Sequence, residues 1–545
     1  MTAYQDPKTV QRGEACADPG RADPAQEGKT QVTQVSDAAQ TPGSVELDKR
    51  PRHPGPLDGP GPNGPIEWIV SRVIRKLAWS RLSDPRVAIS LSAAGLLLGM
   101  LVGATAHNQM TLPDRLPLTN LFSAAFPAVQ HLAAMHPIYI GGILYIGDIL
   151  ACLGLAGMLW AHSQGWRPNP TRLFLASTAI VAVMVSLTPV GSSDTASYAA
   201  YGRISSQGGN PYTVSPCTWL FGTGRNYGCP VTVKSYMHLA HPTFLPYYHA
   251  VGGLWKNQPS VYGPVATAMQ SAAASVGGAN VAHTIWVLMI LNGLVFVGVG
   301  FLLLKTSADP IRATLFWTAN PVIIQQLVSG GHSDTYVAAA AICAISVARR
   351  VSGKWGDVLI GVLIGVACGV KITAALIGIG LAFPLLMRRE WMRTARITAV
   401  SLVTVGVIYS FYGFTALKPL AQGSSWVELP SPWWFLQTLG VHVAGLQQHT
   451  MDTIISLLWP IAMLAVAWVI YRRISSEQPR EIVAPFAVSF AWILVAPWTM
   501  AWYTAIAWVT LSEVPRNRMT RWLALVTVVL AIWHSSGGQP LPPRI

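Results

Sequence analysis

Charge is what this sequence lacks. Only 11% of its 545 residues are Asp, Glu, Lys or Arg, whereas an ordinary soluble domain carries about 25%. That deficit excludes a soluble enzyme, a disordered scaffold or a coiled coil for most of the chain. Cysteine is scarce too, with six residues, and no Cys/His spacing resembles a zinc site. There is no GxxxxGK[ST] phosphate loop, so any energy for a reaction must arrive within the substrate. The few charges are unevenly placed. Residues 1–65 hold 16 of the 60 charged side chains, 10 of the 39 prolines and none of the 21 tryptophans. The rest is a strongly apolar chain, and the whole is a polytopic, all-α membrane protein with a polar tail.

Residues 1–65 have no apolar period and too little apolar surface to offset chain entropy, which predicts a disordered cytoplasmic tail. No apolar stretch follows Met1, so no cleaved signal peptide is expected. Residues 66–86 form a basic juxtamembrane segment with Arg72, Arg75, Lys76, Arg81 and Arg86. It reads as a positive flank to the first span, an interfacial amphipathic helix being the alternative. The net charge of +14 is scattered over short loops, which argues against nucleic acid as a partner.

Apolar runs give thirteen candidate helices, near 87–106, 138–161, 172–190, 281–304, 311–328, 334–349, 355–370, 372–387, 394–413, 451–471, 481–496, 500–512 and 520–534. Several fall short of the roughly 20 residues a lone helix needs to cross hydrocarbon, and broken helices are expected there. With the tail inside, the inner loops from Arg72 onward hold 22 Lys and Arg, and the outer segments hold eight. The positive-inside bias therefore predicts a multi-pass plasma-membrane protein with a cytoplasmic N-terminus and an outer C-terminal tail, 535–545. Two large segments, 191–280 and 414–450, then face outward. Residues 262–278 are apolar, yet a span there would invert the later basic pairs, so a helix over 262–276 on or dipping into the outer face is expected. Cys217 and Cys229 lie in the first outer segment, where thiols tend to pair, and a disulfide is expected.

Only six acids lie outside or within the membrane, namely Asp114, Asp148, Asp194, Asp334, Glu428 and Asp452. A carboxylate beside hydrocarbon is costly and marks a functional position by default. Asp194 sits where the third span meets the outer segment, in SSDTASYAAYGRISSQGGNPY. It suits a general base acting on a hydroxyl, with helix N-capping as the alternative. Tyr198, Tyr201 and Tyr212 follow it and suit stacking on a sugar face. His332 and Asp334 follow a Gly330–Gly331 break at the same depth, with a capped turn as the alternative. Lys371 lies between two apolar runs and needs an anion, either a lipid phosphate or one of these acids; snorkelling is the alternative. Asp148 reads as a structural hydrogen-bonding group. Tyr262 in SVYGP and Trp498 and Trp502 in PWTMAWY stand at the outer boundary, as interfacial aromatics or sugar platforms.

These motifs in this order (SSDTASYAAYGRISSQGGNPY, SVYGP, ANP with SGGHSD, GVKITA, APWTMAWY) resemble the actinobacterial polyprenyl-phosphomannose-dependent α-(1→6)-mannosyltransferases of the GT-C superfamily. The resemblance covers about residues 87–534, and implies a GT-C-type catalytic domain of about 13 spans with a large outer loop after the third. It implies a polyprenyl-phosphate-linked sugar donor, a mannosylated glycolipid acceptor and a role in lipomannan core synthesis at the cell envelope. It implies Asp194 as general base in an inverting displacement and Lys371 at the leaving phosphate. Tyr198, Tyr201, Tyr212, Tyr262, His332, Asp334, Trp498 and Trp502 are the expected substrate contacts. Ser333 stands where relatives often have Asn. No cofactor or metal site is expected, and a divalent-metal requirement stays open. An arabinosyl or glucosyl donor, or a lipid or sugar transporter, are the rival readings.

Overall fold

The computed structural model describes residues 82–105, 116, 117, 119, 121, 137–223, 229–230, 233–234, 237–419, 426–428, 431–474 and 477–534. The tail 1–65, most of the basic segment 66–86, Asp114, Cys16 and the C-terminal tail 535–545 lie outside them. Among the described residues the chain is all-helical, without a strand. Among the described residues five helices are long and apolar enough to cross a membrane: Pro85–Thr105, Tyr139–Ser163, Val281–Thr306, Trp391–Ser410 and Gln448–Arg473. Their outward faces carry exposed Leu97, Leu294, Leu402 and Ile461, as lipid-facing helices do. The protein is a multi-pass membrane protein.

Helices α1 (Pro85–Thr105) and α2 (Pro137–Ser163) pair closely. They do so through small residues. A Cβ on Gly95 would stand 2.5 Å from the Gly147 carbonyl oxygen, the close backbone approach that membrane helix pairs use in place of a hydrophobic driving force. Helix α3 (Pro170–Met184) begins with Asn169 accepting from the Arg172 amide. It stops six residues short of the expected 172–190, and the chain turns through Leu187–Val190 towards the site.

Helices α4 (Asp194–Ser206), α5 (Pro216–Phe221) and α6 (Leu245–Ala250) lie within the segment 191–280, and Cys217 and Cys229 are joined in a disulfide with Cα atoms 5.7 Å apart. Helix α7 (Pro264–Gly277) packs along α4, where a Cβ on Gly202 would meet the Gln270 carbonyl at 2.2 Å. Helix α8 (Val281–Thr306) leads to the largest departure from the sequence reading. The expected helix 311–328 is broken: α9 (Pro310–Phe316) ends, Asn320 caps a new start by accepting from the Val322 and Ile323 amides, and α10 (Pro321–Ile323) runs into a π-turn, Ile324–Ser329. Proline denies a donor to the preceding turn, and the Asn side chain supplies an alternative acceptor. The result is a break at Asn320–Pro321, where a proline inside a helix by itself would leave a kink.

Helices α11 (Asp334–Arg350) and α12 (Lys354–Val370) form an antiparallel pair. A short 3₁₀ turn, Ile372–Ala374, joins α12 to α13 (Ala375–Met387), and α14 (Trp391–Ser410) follows. It runs parallel to α12, with Gly361 against Val400, Gly365 against Thr404 and Gly369 against Ile408. Helices α15 (Pro432–His442), α16 (Gln448–Arg473), α17 (Arg480–Val495), α18 (Ala505–Glu513) and α19 (Met519–His534) complete the described chain.

Candidate active site

The site is assembled at one end of α11 and α12 from segments far apart in sequence. The Val190 amide donates to the Ser329 carbonyl at 3.0 Å, which ties the approach to Asp194 to the π-turn before His332. There His332 Nδ1 lies 3.3 Å from Asp194 Oδ2. The imidazole stacks on Trp502, with centroids 3.7 Å apart and planes 10° from parallel. Asn292 on α8 donates to the His332 carbonyl at 2.6 Å and to Thr335 Oγ1 at 3.1 Å, so the backbone of the turn is fixed as well as the ring.

Gly331 makes that approach sterically allowed. Its φ is +65°, in the left-handed region that glycine enters without penalty. A Cβ there would stand 2.4 Å from Thr195 Cγ2 and 2.6 Å from Met289 Sδ. Gly331→Ala is therefore expected to cost about 1–2 kcal/mol in backbone strain and about 1–3 kcal/mol in overpacking. It should also move His332 off Asp194. A lowered unfolding midpoint checks this; an unchanged midpoint would show that the turn tolerates the methyl group.

The second element is an ion pair. Lys371 Nζ, at the C-cap of α12, donates to Asp334 Oδ1 at 3.0 Å and Oδ2 at 3.1 Å, across the start of α11. The ammonium also lies 3.8 Å above the Tyr503 ring. The amide of Gly263 in SVYGP donates to the Val370 carbonyl at 2.9 Å. This brings Tyr262 beside the lysine segment, where Tyr262 meets Tyr198 edge to face at 4.8 Å. Tyr198 Oη in turn donates to Asp194 Oδ2 at 3.4 Å.

Exposure separates the two carboxylates. The Asp194 side chain is 16% exposed and that of Asp334 only 1%. Burial pushes the Asp194 carboxyl up, but the neighbouring His332, the Lys371 charge and the Ser192 hydroxyl outweigh it, and the carboxyl sits below its ordinary range. Asp194 is thus an accessible, ionised carboxylate, and it is the first residue of α4 rather than the N-cap, which is Ser193. Asp334 is sealed beneath Lys371 and does not cap α11. No group of three or more His, Cys, Asp or Glu that could hold a metal ion occurs among the described residues.

The family described as alpha-(1->6)-mannopyranosyltransferase, N-terminal domain, matches residues 91–388, which include Asp194, His332, Asp334 and Lys371. The chain belongs to this family. Alpha-(1->6)-mannopyranosyltransferase B of Corynebacterium glutamicum is 24% identical over 478 residues, covering 79% of this chain and 72% of that protein. Alpha-(1->6)-mannopyranosyltransferase A of the same organism is 25% identical over 274 residues, covering 43% of this chain and 50% of that protein. No solved structure matches the chain.

In this mannopyranosyltransferase-family chain the expected residues do not all converge. Tyr201 is fully buried and donates to the Gln258 carbonyl at 3.0 Å. Tyr212 is 3% exposed and shares a 2.7 Å hydrogen bond with Thr267. Neither ring offers a face to a sugar in this structure. Trp498 stands in a half-buried row with Trp426 and Trp255, at centroid distances of 5.0 and 5.8 Å. Asp148 is fully buried on α2 and lines a small cavity with Gln325, Gln326 and His332. The residues not anticipated are Asn292 and the two glutamines. Asn292 carried a signal, being a polar residue within a long apolar run.

Proposed function

We propose that the protein is an α-(1→6)-mannosyltransferase that moves mannose from polyprenyl-phosphomannose to a mannosylated glycolipid at the outer face of the membrane. The observation that carries this reading is the difference in exposure between Asp194 and Asp334, 16% against 1%. One carboxylate is open to a substrate, and the other is committed to a lysine.

The Asp194 carboxylate accepts the proton of the acceptor 6-hydroxyl as that oxygen forms a bond to the anomeric carbon. The bond from that carbon to the donor phosphate oxygen breaks, and its electron pair stays on the polyprenyl phosphate. A single displacement inverts β to α. The leaving phosphate is a weak base, so no side chain need protonate it; it needs a positive charge, and Lys371 supplies one. His332 and Tyr198 hold the base in place, and Asp334 holds the lysine. The family match and the two mannosyltransferase relatives support the sugar and the linkage.

The test is an assay of the purified chain with synthetic polyprenyl-phosphomannose and a short α-mannoside. The expected product carries a new α-(1→6) linkage. A product made from an arabinosyl or glucosyl donor but not from the mannosyl one would overturn the donor assignment. Movement of donor across vesicles without product would overturn the enzyme reading.

A further inference from the structure

The far end of the α11–α12 pair holds a second charged site. Each helix has 17 residues, so at about 1.5 Å per residue it is separated from Asp334 and Lys371 by about 25 Å. A cavity of about 330 Å³ opens there, lined by Arg349, Arg350, Lys354, Asp357, Arg393 and Arg396 among others. That volume is in the range of small-molecule pockets.

The wall of this cavity is built, not merely basic. Asp357 is 1% exposed and receives Arg393 Nε at 3.0 Å and Arg396 Nη1 at 2.5 Å. A buried carboxylate thereby fixes two guanidinium groups. Glu390 takes Arg393 Nη1 at 2.9 Å and Glu513 takes Arg349 at 2.5 Å. Five cations then face three carboxylates, an excess of two positive charges. Arg350 donates to the Thr306 carbonyl at 3.1 Å, and Lys354 has no partner among the described residues. Each guanidinium has five N–H donors. Arg393 commits two and Arg396 one, leaving a fixed fork of the kind that matches phosphate oxygens.

The aromatic residues beside the cavity identify the source of the phosphate. Trp355 follows Lys354 and is 83% exposed; Trp391 precedes Arg393 and is 62% exposed. They begin two parallel, packed helices, α12 and α14, and so stand at the same end of the bundle. Exposed tryptophans at helix ends mark the membrane interface, and basic pockets between helices at that level suit lipid headgroups.

We propose that this cavity binds the phosphate of an anionic membrane phospholipid, on the face opposite Asp194. The experiment uses the full chain in mixed micelles of phosphatidylglycerol and phosphatidylcholine, with retained lipid counted by native mass spectrometry. Wild type should retain phosphatidylglycerol over phosphatidylcholine. The R350Q/K354Q variant should bind it about 30-fold more weakly, at about 1 kcal/mol per basic residue. The R350K/K354R variant should keep the preference, which separates lost charge from lost fold. Equal retention by wild type and R350Q/K354Q, or no preference in wild type, would overturn the site. Glycerol 3-phosphate binding as tightly as phosphatidylglycerol would overturn the lipid in favour of a soluble phosphate.

Discussion

Asp194→Asn is expected to reduce transfer by about 100- to 10,000-fold while leaving the fold intact. The amide has the shape of the carboxylate but cannot take a proton. It can still accept from Tyr198, which donates to Asp194 Oδ2 at 3.4 Å, so the local geometry has a substitute partner. Donor affinity should change little, because the lysine that faces the phosphate is held by Asp334 instead. A fall in kcat with KM nearly constant is therefore the expected signature. Wild-type turnover by the Asn variant would remove Asp194 from the mechanism. The pH profile adds a check. The Asp194 carboxyl lies below its ordinary value, because His332, Lys371 and Ser192 outweigh the effect of burial. It stays ionised as pH falls through the range where a free aspartate, near pH 3.9, begins to protonate. The acid limb assigned to Asp194 should accordingly lie below the ordinary carboxylate range. The stability linked to this group has the matching sign. It is fully present above the unfolded-state value and is lost as pH falls through the folded one.

The charged members of the site were legible because charge is so rare in this chain. Lys371 interrupts apolar sequence, and Asp194 and Asp334 each follow closely on an apolar run; an ionisable group so near hydrocarbon needs a reason. Their pairing was not legible. Lys371 had two acids to choose from, and only the meeting of the start of α11 with the end of α12 selects Asp334. The aromatics were less well read, because a hydrophobic ring is equally at home in a core. Tyr198 falls four residues after Asp194, on the same face of α4, and reaches it. Tyr201 follows closely in sequence, yet its hydroxyl is taken by Gln258. In the same way Asn320–Pro321 reads as a kink from proline alone. The break depends on Asn320 capping two amides, a choice that an Asn before a proline does not announce. His332 was legible as a candidate, but its two partners, Asp194 and Trp502, come from segments about 140 and 170 residues away and no local pattern joins them.

Lys371→Met should destabilise the protein and abolish transfer, and the two effects can be separated. Asp334 is 1% exposed, with both carboxylate oxygens on the ammonium. Removing one partner of a buried pair leaves an uncompensated charge, at a cost of about 3–5 kcal/mol. Lys371→Met/Asp334→Asn removes both charges and should recover most of that loss, since a neutral pair carries no orphan ion. Activity follows a different rule. If Lys371 served only to neutralise Asp334, the double variant would regain transfer along with stability. If the ammonium stabilises the departing phosphate, the double variant stays inactive, with a deficit of about 100- to 1,000-fold, the loss typical of one preorganised charge-stabilising donor. The expected outcome is recovery of the unfolding midpoint without recovery of kcat. Recovery of both would reduce the lysine to a structural counter-ion. The geometry favours the catalytic outcome: an ammonium has three donors, Asp334 takes two, the Tyr503 ring lies against the same ammonium, and the Lys371 side chain is still 12% exposed. A lysine needed only for charge balance would have no cause to be more accessible than the carboxylate it balances.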